Sequence, residues 1–169
     1  MKLADLLAAQ VEREGPLSTR ALERVPEGRA DWKPHDKSMP LGYLATLVAS
    51  IPEWIAMIVS QDSLDLKPAS GQGFKPPDTS TRSKLLKAHE DAVGRARAAL
   101  KGASEEHLMK PWQLKVAGKV VQENPRHVAI ADSLMHLAHH RGQLTVYLRL
   151  LSEPVPAIYG PSADDARFS

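Results

Sequence analysis

The chain has 169 residues and no cysteine, and it sets 22 Lys and Arg against 20 Asp and Glu for a formal charge of +2. That length suits one domain with a core large enough to fold without cross-links. The missing cysteines exclude disulfide scaffolds, thiolate metal sites and cysteine nucleophiles, and a near-neutral charge without a basic patch speaks against a nucleic-acid binder.

From Lys2 to about Val25, the positions Leu3, Leu7, Val11, Gly15, Ser18, Leu22 and Val25 recur every three or four residues. That is a helical stripe, and Pro16 inside it predicts a kink or break near Glu14. The opening MKLADLLAAQVERE turns acidic too early for a signal peptide, so a cytoplasmic protein is expected. Residues 29–39 read as a loop with Trp32 anchored in the core; Ser38 is a cap for the next helix and Pro40 suits its first turn. The second helix is expected over about 39–61, with a bend at Pro52. Its apolar run from Leu41 to Val59 is interrupted by Ser50, Pro52 and Glu53, which argues against a membrane span.

Residues 62–78 are rich in Gly, Pro and Ser and read as a long surface connection. Such a segment permits a crossover between helices that are not antiparallel neighbours. The third helix is expected over about 79–102, with caps from Thr79 to Thr81 and a stop at Gly102. Residues 109–122 centre on Ala117-Gly118 and suggest a short hairpin lying against the helices, with an irregular loop as the alternative. The fourth helix is expected over about 125–151, with Asn124 as cap and Pro125 first. The proline-rich tail is expected to lie extended over the helices. These elements predict one domain over 1–169, an all-α four-helix bundle with one long crossover and a short hairpin before the last helix.

Three of the seven histidines fall within one five-residue stretch of the last helix, from His136 to His140. At about 100° per residue, His136, His140 and Tyr147 form one file beside the apolar stripe, and His139 points elsewhere. Histidines four apart on one helical face can both reach one metal ion, and neutral imidazole suits zinc, nickel, copper or iron(II). Asp132, one turn earlier, is a candidate ligand or partner. A third ligand has to come from elsewhere; the candidates are His35, His89, His107, His127, Asp36, Glu53 and Glu90. The alternative is a pair that is solvated or hydrogen-bonded without metal. Gln143 lies close enough to the file to bond an imidazole, or else is a surface residue. Arg141 sits beside the apolar stripe and reads as an ion-pair partner between helices or subunits. Gly142 suggests close helix approach. Trp32, Trp54 and Trp112 read as core or interface anchors rather than ligand cages. No nucleophilic triad or phosphate-binding loop is legible.

The stretch HLAHHRGQLTVYLRLL at 136–151 resembles the last helix of the DinB-like (YfiT-like) proteins. LERVPEGRADWKPHDKSMPLGYLA at 22–45, PEW at 52–54 and PVPAIYGPSADD at 154–165 extend the resemblance over essentially the whole chain. It implies a four-helix bundle, a homodimer, and a nickel or zinc site of three histidines, two of them at His136 and His140. Relatives include metal-dependent hydrolases and thiol-dependent S-transferases acting on small molecules, and the family name suggests damage-inducible stress-response proteins of bacteria. The resemblance departs at the second helix, where the third histidine's position is Leu47. Leucine cannot bind a metal. The chain is therefore expected either to hold a divalent metal with a substitute ligand, or to be a metal-free bundle that binds a small ligand or a protein partner.

Overall fold

The apolar stripes fold as helices, joined by a short sheet that grows from the connections. In chain order they are α1 (Leu3–Leu22), α2 (Leu41–Ser60), β1 (Ser63–Asp65), α3 (Arg82–Lys101), α4 (Glu105–Met109), β2 (Pro111–Val116), β3 (Lys119–Pro125) and α5 (Arg126–Leu150). The structure is a computed structural model describing residues 2–71 and 73–166. The fold is mostly helical with one small three-stranded sheet, so all-α is corrected to that extent.

α1 runs unbroken through Pro16, against the expected break near Glu14. Proline removes the hydrogen bond to the Glu12 carbonyl, but Pro16 and Glu12 both lie on the exposed face, where water replaces the lost donor. Pro52 likewise sits within continuous α2. The α2 cap position is Pro40, and Ser38 instead turns back through its backbone N–H to the His35 carbonyl at 2.9 Å. Thr81 caps α3 by accepting from the Lys84 N–H at 3.3 Å, and Gly102 ends it. Asn124 does not cap α5, because β3 extends through it; it pairs with Trp112, and Pro125 takes the cap position.

The hairpin forms. β2 and β3 are antiparallel, joined by Ala117 and Gly118 with φ of 50° and 77°. Positive φ at both central residues is what the type I′ two-residue hairpin turn demands. β1 pairs parallel with β2, so the segment read as a plain surface connection supplies a strand. Its Asp65 carboxylate accepts from the backbone N–H groups of Lys67, Ala117 and Gly118 at 2.9, 3.0 and 2.7 Å. These bonds, Lys67 foremost, hold its pKa below the usual carboxylate value.

α2 packs along α3 and α5, and α1 packs along the same two helices. Contacts fix the sense of each pair. Ala49 meets His89 and Glu53 meets Arg95, so α2 and α3 run parallel. Met39 meets Tyr147 and Trp54 meets His136, so α2 and α5 run antiparallel. The 61–81 segment therefore returns the chain along the molecule between two parallel neighbours. Two apolar clusters fill the interior. One gathers Leu22, Leu44, Ile51, Leu85, Leu137 and Leu144, with Trp32 and Leu47 packed against it. The other gathers Leu7, Val11, Ile55, Leu100, Trp112 and Ile130. α2 is long and apolar enough to cross a membrane by length and composition, but its Leu41, Leu44, Val48, Ile51, Ile55 and Ile58 are buried within the fold.

Candidate functional site

His136 and His140 do converge. Their Nε2 atoms lie 2.7 Å apart, and the ring centroids 4.5 Å apart. His140 Nδ1 faces the Gln143 side-chain oxygen at 2.8 Å. That oxygen only accepts, so His140 carries its proton on Nδ1 and leaves the Nε2 lone pair free. His136 then donates its Nε2–H to that lone pair. The result is a short chain of hydrogen bonds from His136 through His140 to Gln143, all on one face of α5. His140 is buried; His136 is more open, its ring 5.3 Å from Trp54. Partial burial, then the adjacent His140 and His139, push the pKa of His136 below the ordinary histidine value. Tyr147, the third residue of the predicted file, turns away: its hydroxyl donates to the Met39 carbonyl at 3.2 Å and its ring meets Trp32 edge-on.

No third ligand is brought to this pair among the described residues. Among the described residues no group of three or more His, Cys, Asp or Glu is placed to hold a metal ion. His35 accepts from the Lys37 N–H in its loop, His89 lies between the carbonyls of Ala49 and Gly15, His107 bonds the Val59 carbonyl and His127 that of Leu108. Glu53 pairs with Arg95 at 2.5 Å, and Asp36 and Glu90 are exposed. Leu47 packs on the apolar cluster. Two nitrogens bound to one tetrahedral ion at about 2.05 Å stand roughly 3.3 Å apart, so metal entry requires the present hydrogen bond to break and the tautomer of His136 to change. The donor set of this chain does not fit a three-histidine centre.

What His136 does line is a cavity of about 320 Å³. α2 contributes Trp54 and Ile58; the β1 segment Leu64 and Leu66; the hairpin Trp112, Leu114 and Gln122; and α5 Ala129, Asp132, Ser133 and His136. The helix positions follow the three-and-four rhythm of one face, and Trp112 and Leu114 alternate along β2. The Ser133 hydroxyl is spent on the Ala129 carbonyl at 2.9 Å. Asp132 makes no hydrogen bond or ion pair with any described residue. The indole Nε1 atoms of Trp54 and Trp112 are buried without partners. Sequence reasoning read both tryptophans as core or interface anchors and missed their shared wall. It also missed Leu64 and Leu66, whose spacing of two within a Gly- and Pro-rich run was the available signal of a strand.

A second polar centre lies deeper. Arg141, 1% exposed, donates to the Glu14 carboxylate at 2.6 Å, to the Glu14 carbonyl at 3.2 Å and to the Ser18 hydroxyl at 3.1 Å. Tyr159 of the tail donates to the same carboxylate at 2.7 Å. The expected interhelical ion pair is thus present, between α1 and α5. A Cβ built on Gly142, by contrast, meets nothing within 4 Å, so that glycine mediates no close approach among the described residues.

The sequence model of the DinB family matches residues 6–167. Among solved structures, a DinB-like protein of Bacillus subtilis is similar with a TM-score of 0.64 at 18% identity, over 87% of this chain and 92% of that one. A DinB-like protein of Bacillus cereus is similar with a TM-score of 0.64 at 16% identity, over 88% and 92%. No curated protein matches.

Proposed function

The chain belongs to the DinB family, and from that premise we propose that it is a small-molecule-binding member whose site is the cavity between α2, the sheet and α5. The carrying observation is a cavity of about 320 Å³ walled by apolar side chains, beside a histidine pair for which the described residues supply no third metal ligand. Ligand sites are of this kind, apolar walls with a few polar groups that orient the guest. Asp132 and His136 are those groups here. In this reading the four long helices form a four-helix bundle, and the protein acts in the cytoplasm as a homodimer.

A fluorescent apolar dye tests the reading. It should bind near one per chain, and Ala129→Leu, which fills the cavity from α5, should weaken binding about tenfold or more. Circular dichroism should show the helices intact. A wild type that does not bind the dye, or a variant that binds it equally, rejects the reading.

The convergence of the two Nε2 atoms favours a second reading, a nickel- or zinc-dependent hydrolase or thiol S-transferase with His136 and His140 as ligands. It requires a substitute for Leu47. Elemental mass spectrometry separates the two. About one metal per wild-type chain supports the second reading; an empty wild type beside a loaded Leu47→His variant supports the first.

A further inference from the structure

The cavity walls carry one charge. Among its lining residues only Asp132 is formally ionised at neutral pH, and no Lys or Arg joins it. Asp132 is half-buried and has no hydrogen-bond or ion-pair partner among the described residues. A carboxylate set among apolar side chains loses hydration when a guest covers it, unless the guest supplies the compensating charge. The nearby cations do not supply it. Arg126 donates to the Pro111 and Gln61 carbonyls at 2.9 and 3.2 Å and to Asp62 at 2.5 Å. Lys115 and Lys110 line a separate depression with Arg126.

Two tryptophans face the same space. Trp54 comes from α2 and Trp112 from β2, so indoles from two elements line one cavity. Tryptophan is the side chain whose ring best attracts a cation, and desolvation strengthens that attraction. An anionic guest meets Asp132 with no countercharge. A neutral guest leaves that carboxylate stripped of water. A cationic guest satisfies both the carboxylate and the rings.

We propose that this cavity selects small molecules that join an apolar body to a protonated or quaternary amine, the amine held by Asp132 between Trp54 and Trp112. The proposal rests on the small-molecule reading above and adds the charge of the ligand. The volume of about 320 Å³ lies at the small end of the roughly 300–1,000 Å³ range of ligand sites, which suits an aryl-alkyl or short alkyl amine.

The test uses three probes of one shape on the full chain: 3-phenylpropylamine, 3-phenylpropan-1-ol and 3-phenylpropanoate, titrated by calorimetry with tryptophan fluorescence alongside. The amine should bind about tenfold or more tighter than the alcohol, and the acid weakest. Asp132→Asn should abolish the amine's advantage by weakening the amine, while the alcohol binds as well as before or more tightly, since no carboxylate is left to desolvate. Because Asp132 has no partner among the described residues, this variant should keep the wild-type melting temperature; Asp132→Ala provides a second removal of the charge. Equal binding of amine and alcohol, or an amine affinity unmoved in both variants, overturns the cation proposal and leaves the cavity reading standing. Failure of all three probes while the apolar dye still binds also overturns it. Failure of probes and dye together removes the cavity reading itself.

Discussion

Arg141 and Glu14 show how much a single pair can hold. The guanidinium and carboxylate sit between α1 and α5, almost sealed from water, with Ser18 and Tyr159 completing the bonds. Breaking a buried pair from one side leaves an uncompensated charge, which costs about 3–5 kcal/mol. Arg141→Met should therefore lower unfolding stability by that amount in urea, and Glu14→Leu added to it should recover most of the loss. A single variant as stable as wild type contradicts the assignment. This residue was legible as an ion-pair partner because its angle on α5 placed it beside the apolar stripe, but its partner was not: 127 positions separate the two. The histidine file was legible for the same reason, since a regular helix fixes the relation of i to i+4. The direction of its protons was not, because Gln143 sets it through a rotamer that spacing does not encode.

Among elements, His89 on α3 pins α1 and α2 together. Its Nε2 faces the Gly15 carbonyl at 3.0 Å and its Nδ1 the Ala49 carbonyl at 3.3 Å. A neutral imidazole has one N–H, so one of these carbonyls faces a lone pair. Burial nevertheless dominates and holds the ring's pKa below its ordinary 6.5; the two carbonyls push it up and the Arg141 charge pushes it down. The unfolded chain thus takes up this proton first as pH falls. The stability contributed is complete above about pH 6.5 and is lost as pH drops from there through the folded pKa. His89→Gln should flatten that slope when urea midpoints are compared between pH 7 and pH 5. The downshifted His136 titrates in both proteins and cancels in the difference. A slope unchanged by the substitution would sink this account. Element boundaries divide along similar lines. The Ala117-Gly118 turn announced the hairpin, while β1 and the pairing of Asn124 depend on tertiary partners that local propensity does not contain.

For the whole molecule, the outward face of α5 bears on assembly. Met135, Val146 and Leu150 are 63%, 57% and 57% exposed, and they share that face with the open space at Gly142. The proposed homodimer covers this stripe with its own copy, small residue against small residue. Sedimentation equilibrium should give a dimer, and Val146→Glu with Leu150→Glu should give a folded monomer. A wild-type monomer at micromolar concentration would refute the proposed assembly.

The order in which the long helices meet has a kinetic side. No two consecutive long helices form an antiparallel neighbouring pair: α1 packs little on α2, α2 and α3 run parallel, and α3 passes to α5 without extensive contact. The chain thus has no helical hairpin with which to begin. Every large contact between long helices must first close a loop of some twenty residues or more, whose entropy is spent before burial repays it. Such a chain assembles more slowly than an up-and-down arrangement of the same helices, and its helices wait for distant partners before they hold.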